Sequence, residues 1–472
     1  MHTIILGNGI LGLTTAFRLL QAGGDQRITL IGPARREGSA TLAAAAMLNS
    51  FAEIEAGSLD HEVDLYRFEL SHRATEAWPD FAQQLSNAAG SAIQPLCFTR
   101  GTYVISNTAA DAMDDENFAA IIEALEVASE PHAHIDPASI PNYLPEARHR
   151  ATRAVRIDNE GWLNPRRVIA TLDAVLHAAP NVTLIDQPVT RLHGAHGIIR
   201  GAELADGTMV EGDQYLLATG ATVSELLRTS ALDMPMQPVF YGIGTSVEIK
   251  SPDAPHTHCI RTPNRGLACG VYTVPYDQGP DHPNDHLVVG ASNFIAPTPQ
   301  PYGRLGSVEA LTRAAMEQIN RHFYRAGLVR VNVGWRPTSQ DTYPLLGRSA
   351  SYANLVVATG TKRDGFHLAP VISQLMADLL RGREVETELA VFAPERAPLR
   401  TLTREQAIEK AARHQMSAAY QHGFVPAKSR MPEQLHAMYR DAAEQLHDTL
   451  GITEWGIPPE MLDMYRYGHA KP

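Results

Sequence analysis

Cysteine is scarce in this chain. Cys97, Cys259 and Cys269 are the only three, and their odd number and the absence of any C-x-x-C pair speak against a disulfide framework, a zinc site or a dithiol site. Such usage fits a reducing compartment. Long apolar runs are also missing: no segment reaches the ~18 consecutive apolar residues that a membrane span needs, so a membrane-spanning role is not expected. Charge of one sign is nowhere concentrated. The net charge of −12 comes from scattered acids, which favours solubility and gives no footprint for nucleic acid, leaving small molecules as the expected partners. No basic segment precedes the first apolar run, so no cleavable signal is visible, and the expected location is the cytoplasm.

What the sequence does have is length and order. Its 472 residues suggest two or three domains, and 44% hydrophobic with 19% charged residues is the composition of a globular chain with ample core. Thr3 to Leu6 is a short apolar run. It leads into Gly7-Asn8-Gly9-Ile10-Leu11-Gly12, then a helical pattern to Ala22 that Gly23-Gly24 stops, then a second apolar run from Ile28 to Ile31. This is a βαβ unit of about 30 residues, the context in which a G-x-G-x-x-G pattern signals a dinucleotide. Gly7, Gly9 and Gly12 permit a tight turn, close backbone approach to a diphosphate and close packing of helix on strand, while Ile10 and Leu11 open the helix whose N–H groups face the anion. The acid expected about 20 residues further on, for a ribose hydroxyl, is absent. Gly32 stands there, so ribose contact must come from elsewhere, with Arg35, Arg36 or main chain as candidates.

Further along, Ala43 to Leu48 reads as a small-residue helix start, Val63 to Phe81 as a helix and Thr102 to Ile105 as a strand. The α/β pattern returns with a helix at Pro165 to Ala178, a strand at Val182 to Ile185 and the run Tyr215 to Ala218. Strands dominate from Val239 to Phe294, including Val271 to Val274 and Leu287 to Val289. Asn354 to Ala358 and a helix at Ala369 to Leu380 close the pattern. The fold expected is α/β, a Rossmann-type nucleotide-binding domain interleaved with an antiparallel-sheet domain. The segments are 1–57, 151–235 and 330–396 for the first, and 58–150 and 236–329 for the second. Residues 397–472 carry helical spacing with mixed charge and read as a helical C-terminal extension.

Four segments besides the glycine loop give the resemblance to a family. They are Gly38-Ser39-Ala40-Thr41 running on to Leu48; Gly161-Trp162-Leu163-Asn164-Pro165; Leu217-Ala218-Thr219-Gly220-Ala221; and the pair of blocks from Gly334-Trp335-Arg336-Pro337 to Gly347 and from Gly360-Thr361-Lys362-Arg363 to Pro370. With the loop they span nearly residues 1 to 395, and the sequence resembles the D-amino-acid oxidase, glycine oxidase and sarcosine oxidase family of flavoproteins. The resemblance implies FAD as cofactor, with contacts at Thr41, Ala45, Met47, Val189, Thr219, Gly220, Arg363, Gly365, Phe366, His367 and Leu368. A helix opening at Gly365 to Leu368 would turn its N–H groups toward negative charge on the reduced flavin. The branch that attaches flavin through cysteine carries it in a block comparable to residues 338 to 343, which holds none here, so FAD is expected to be non-covalent.

The resemblance also assigns the substrate side. Arg336 stands where an arginine pairs with a substrate carboxylate, a task suited to two parallel guanidinium donors, and Tyr272 where a strand tyrosine helps hold the same group. Each has a plainer alternative, a loop-holding arginine and a packed strand aromatic. Thr361 replaces a usual histidine and His367 an apolar residue, so the pocket is remodelled; His367 is a third candidate for the substrate side, or a hydrogen-bonded structural residue. His256-Thr257-His258-Cys259 has too few ligands for a metal, and none is expected. The implied activity is oxidation of a C–N bond in an amine or amino acid by hydride transfer to the flavin, with oxygen or another acceptor taking the electrons. The alternatives are a dehydrogenase for a hydroxy acid, or a flavoprotein whose tail binds a protein partner or builds a homo-oligomer. A flavoprotein fused to tRNA modification, also on this scaffold, is disfavoured by the acidic balance.

Overall fold

A computed structural model describes residues 1–472 except 110, 267, 268, 280, 281 and 422. Two sheets organise it. The first has six strands in the order Leu345–Arg348, Leu355–Thr359, Gln214–Leu217, His2–Leu6, Arg27–Ile31 and Val182–Ile185; all run parallel except the antiparallel edge strand Leu345–Arg348. The inner strands read as continuous apolar runs because both faces are covered, as a parallel sheet requires. Helices Ile10–Gln21, Pro165–Ala178 and Ala369–Leu380 share one core with this sheet. A small three-stranded sheet and the helix Val223–Ser230 cover the other face.

Local chemistry explains the boundaries. Gly9 caps the first helix in extended conformation. Pro165 occupies a first-turn position behind Asn164, whose side chain accepts from Arg166 N at 3.0 Å. That helix, Val182–Ile185 and Ala369–Leu380 lie where the sequence places them.

The second sheet has ten strands, on the path Phe294–Ala296, Val239–Lys250, His286–Gly290, Tyr272–Pro275, Cys259–Arg261, Thr99–Asn107, Ala151–Trp162 and Met47–Leu48. Gly327–Ser339 pairs with Val239–Lys250, and His132–Ile135 with Ala151–Trp162. It is antiparallel but for one junction, where Cys259–Arg261 runs parallel to Thr99–Asn107. Ala151–Trp162 and Gly327–Ser339, which span the expected re-entry points at 151 and 330, pair within this second sheet, and the chain crosses to the first sheet after them.

The helix expected to start at Ala43 is displaced. Helix covers Ala40–Ala43, with Ser39 Oγ accepting from Leu42 N at 3.3 Å; Ala44 is extended, Ala46 takes φ 54°, and Met47–Leu48 pairs with Gly161–Trp162. Pairing to a strand more than 100 residues away overrides the helical preference of the alanines.

The tail folds back on its own chain. Helices Arg404–Gln421 and Met431–Leu450 pack together, and Ile408, Ile457, Met461 and Tyr465 form a core with Phe240 of the second sheet. Gln340 donates to Tyr465 Oη at 3.0 Å, Gly266 N to Ser417 Oγ at 3.1 Å, and Arg413 pairs with Glu116. The tail is thus pinned against the second sheet and the segments that adjoin it. Among the described residues no helix is long and apolar enough to cross a membrane.

Candidate functional site

A cavity of about 670 Å³ runs from the glycine loop to the face of the second sheet. Its first end is made of backbone. Gly7 takes φ 114°, and a Cβ there would strike the carbonyl of Ala218; a Cβ on Gly12 would overlap the carbonyl oxygen of Gly7. Gly9 differs. A Cβ on it would meet only Thr41 Oγ1, at 4.0 Å, so the protein leaves that space open toward the cavity. Thr41 Oγ1 accepts from Ile10 N at 3.3 Å, while Thr219 Oγ1, buried on the same wall, has no partner among the described residues. An open approach over Gly9 and an orphaned hydroxyl beside it fit a diphosphate, as does the helix that begins at Ile10.

Gly32 explains the missing acid. A Cβ at this position would press into the Asn8 side chain, which donates to Pro33 O at 3.0 Å, so no side chain fits at the end of the second strand. Arg36 lines the cavity, but its guanidinium is engaged with Asp173 at 2.6 and 2.8 Å and with Asn8 O; Arg35 is exposed and lies off the wall.

Of the expected cofactor contacts, Gly7, Gly9, Ile10, Leu11, Thr41, Ala45, Met47, Val189, Thr219, Gly220, Arg363, Gly365, Phe366 and His367 line this cavity. Gly12 and Leu368 do not. Gly12 holds the helix close to the strand, and Leu368 is buried in the helical core. The helix expected to open at Gly365 begins at Ala369, and residues 365–368 form the turn before it, closed by Leu368 N on Asp364 O at 2.8 Å. Phe366 stacks on Trp78 with centroids 4.9 Å apart.

The other end is made of side chains. Arg336 projects from Gly327–Ser339 opposite Gly242, and Gly244 must lack a side chain because a Cβ would enter the guanidinium. Its Nη1 donates to Ser292 O at 3.0 Å and Asn293 Oδ1 at 3.1 Å. Among the described residues no carboxylate lies within ion-pair distance of it. Tyr272 lines the same wall, and Gly290 leaves room for its ring. Burial pushes its phenol well above the ordinary range, with Arg336 opposing, so the hydroxyl stays a donor.

Three residues here escaped the sequence reading. Glu53 is held between Arg261 at 2.5 Å and Arg363 at 3.1 Å; burial pushes its carboxyl up, but the two guanidiniums outweigh this and hold it below its usual value. Arg363 also reaches Cys269 Sγ, at 3.2 Å, and Cys269 and Asn49 complete the wall. The available signal was a carboxylate inside the apolar stretch Phe51 to Ile54.

His367 turns its ring toward the long helix Glu62–Ala89. Nε2 lies 2.8 Å from Thr75 Oγ1, the backbone oxygen accepts from Trp78 Nε1 at 2.7 Å, and burial lowers the ring pKa to about 4. It is a satisfied, neutral histidine in the wall. In the His256–Cys259 segment, His256 contacts Ser251 at 2.8 Å and Cys259 is buried in its strand; among the described residues no group of three or more His, Cys, Asp or Glu could hold a metal.

Comparison with known proteins agrees with this layout. Glycine oxidase of Pseudomonas putida is 27% identical over 404 residues, covering 84% of this chain and 98% of its own length. Among solved structures, iminodiacetate oxidase from Chelativorans sp. BNC1 superposes with TM-score 0.69 at 20% identity over 83% of this chain and 98% of its own. Glycine oxidase from Geobacillus kaustophilus gives 0.69 at 21% over 84% and 98%, so both share the fold. The model of the DAO family, FAD dependent oxidoreductase, matches residues 2–379 and stops short of the tail. With most of the chain inside that match and a glycine-walled cavity fit for a dinucleotide, the protein belongs to the FAD dependent oxidoreductase family.

Proposed function

We propose that the protein oxidises the C–N bond of an amino acid or a closely related amine, with FAD held non-covalently. The observation that carries this reading is Arg336, a guanidinium on the cavity wall beside the Tyr272 hydroxyl with no carboxylate of the described chain to neutralise it. A substrate carboxylate would complete that charge, since the two parallel donors of a guanidinium match the two oxygens of a carboxylate.

The loop Gly7 to Gly12, Thr41, Thr219 and Gly220 would hold the cofactor's diphosphate, and Ala45, Met47, Gly365 and Phe366 its flavin end. Bound FAD supplies the acceptor for the hydride that leaves the carbon next to the substrate nitrogen. The chain's own work is positional. Arg336 and Tyr272 fix the carboxylate, so the α-carbon presents one C–H bond in one orientation. The Glu53–Arg363 pair sets a charge-balanced wall near the amine, and the neutral His367 offers no proton acceptor in the physiological range. An uncharged amine therefore has to arrive as such or lose its proton to water. The imine product hydrolyses in water, giving an oxo acid and ammonia, and oxygen is the electron acceptor assigned, with peroxide as the reduced product. Cys269 on the cavity wall is engaged with Arg363, and acid should release the flavin intact.

Anaerobic mixing with a panel of amines, hydroxy acids and both enantiomers of amino acids tests this reading. Bleaching of the flavin by amines that carry a carboxylate is expected. Bleaching by hydroxy acids alone would overturn C–N oxidation in favour of a hydroxy-acid dehydrogenase.

A further inference from the structure

Next to the flavin cavity lies a second chamber of about 200 Å³. Asn49, Glu53, Lys362, Arg363 and Asp364 line both, so the partition between them is one layer of side chains. The far wall comes from the tail, through Lys410 and His414 of helix Arg404–Gln421 and the segment from Gly456 to Glu460. Since the family match ends at residue 379, this wall is an addition to the shared scaffold.

Most charges of the chamber are already matched. Lys362 pairs with Glu460, Lys410 with Glu55 at 3.4 Å, Arg67 with Asp364 at 3.1 Å, and Asp341 is neutralised from behind by Arg396. Two groups are not. Asp64 accepts from Tyr343 Oη at 2.8 Å, and among the described residues no lysine or arginine lies within ion-pair distance of it. His414 is only 5% exposed, lines the chamber, and among the described residues its Nδ1 has no hydrogen-bond partner. Burial outweighs the opposing Glu55 and Glu460 carboxylates and, with Lys410 and Lys362, lowers its pKa to about 4, so the ring is neutral and can accept. A buried nitrogen without a described partner and a carboxylate that no cation touches, though Arg67 acts on it from further off, together suit a positively charged donor.

Resting on the C–N oxidation proposed above, we infer that the chamber receives the distal ammonium of a substrate whose α-amino-acid end lies at Arg336 and Tyr272. The preferred substrates are then diamino acids of the length of ornithine or lysine, and the tail's role is to supply the wall that selects them. The arm would cross the partition beside Arg363 and Glu53. Their mutual pairing leaves neither a free charge to compete for the arm.

The test compares, for the full-length holoenzyme, kcat/KM from anaerobic flavin bleaching with both enantiomers of ornithine and lysine against norleucine and 2-aminoadipate. The cationic substrates should be favoured over norleucine by about tenfold or more, the effect of one charge-assisted hydrogen bond, with 2-aminoadipate the poorest. Asp64→Asn and His414→Leu should each bring the lysine-to-norleucine ratio toward one, with flavin content and circular dichroism confirming that each variant is folded. A ratio near one in the parent, or an unchanged ratio in both folded variants, overturns the chamber's role while leaving C–N oxidation intact. Should no amine bleach the flavin, titration calorimetry with 1,5-diaminopentane separates the two claims. Binding that Asp64→Asn weakens keeps the chamber and sinks the C–N reading; no binding sinks both.

Discussion

The two ends of the main cavity are built on different principles. At the dinucleotide end the wall is backbone, and the determining fact at Gly7, Gly12 and Gly32 is that a side chain has nowhere to go. At the substrate end the wall is side chains, Arg336 and Tyr272 from strands, Glu53 from a short helix and Arg363 from a turn, all far apart in sequence. A backbone-built site tolerates no addition and is indifferent to most chemistry; a side-chain-built site keeps its fold under substitution and changes what it recognises. Mutations should therefore fall into two classes.

The largest expected effect lies at the first end and divides the glycines themselves. Gly12→Val would drive a Cβ into the Gly7 carbonyl and should prevent folding of the first βαβ unit, seen as loss of soluble protein. Gly9→Val meets no protein atom closer than 4.0 Å, so it should fold, with an unchanged circular dichroism spectrum, yet purify colourless because the valine occupies the diphosphate's approach. Stoichiometric FAD in Gly9→Val would place the diphosphate somewhere other than over this loop.

Next in size is Arg336. Arg336→Leu should keep its flavin and lose on the order of 2–5 kcal/mol of substrate binding, the cost of leaving one partner of a buried charge pair unpaired. Arg336→Lys should restore only part of this, since a point charge lacks the fork. A Leu variant whose flavin bleaches with unchanged apparent affinity would show that the carboxylate clamp lies elsewhere, and the contrast between the ends would lose its chemical half.

The same contrast governs what could be read from the sequence. The glycine loop, the Asn164-Pro165 helix start and the helix from Ala369 were legible because their determinants are local: a turn, a cap, an apolar face. Residues 43–48 were not, since alanines favour helix and only pairing with Gly161–Trp162 makes Met47–Leu48 a strand. The pairing of strand Ala151–Trp162 was hidden for a like reason; its main partner, Thr99–Asn107, lies some 50 residues back and leaves no local mark. Arg336 and Tyr272 were reached by family resemblance. Glu53 was missed because its meaning depends on Arg261 and Arg363, each more than 200 residues away.

A smaller, pH-dependent effect comes from behind the partition. Glu160 is fully buried, its Oε1 accepting from Phe51 N at 2.6 Å and Ala52 N at 3.1 Å, and burial outweighs these bonds, raising its pKa from 4.5 to about 8. The native state then holds a proton that the unfolded chain releases across this window, so stability should fall as pH rises from about 4.5 to about 8. Glu160→Gln keeps an acceptor for both amides and cannot ionise. Its melting temperature should vary less with pH over that range than the parent's; an equal slope in both would mean that Glu160 is ionised throughout.

The smallest effect is expected at His367, and it is the sharpest check on where side-chain chemistry begins. The residue sits on the cavity wall, but its ring belongs to the packing against the Glu62–Ala89 helix, where Thr75 holds Nε2. Its native pKa near 4 lies below the ordinary 6.5, so protonation is resisted by the fold, and any stability it contributes is lost as pH falls from about 6.5 toward about 4. Above that window the ring does not titrate. His367→Gln, which can still bond Thr75, should therefore leave kcat/KM and its pH profile close to the parent's, whereas loss of a general base would cost ~10²–10⁴-fold. A loss of that size, with the acidic limb of the profile removed, would make His367 a catalytic residue and move the boundary between wall and chemistry one layer outward. A near-silent substitution would leave orientation by Arg336 and Tyr272 as what this chain contributes to the reaction.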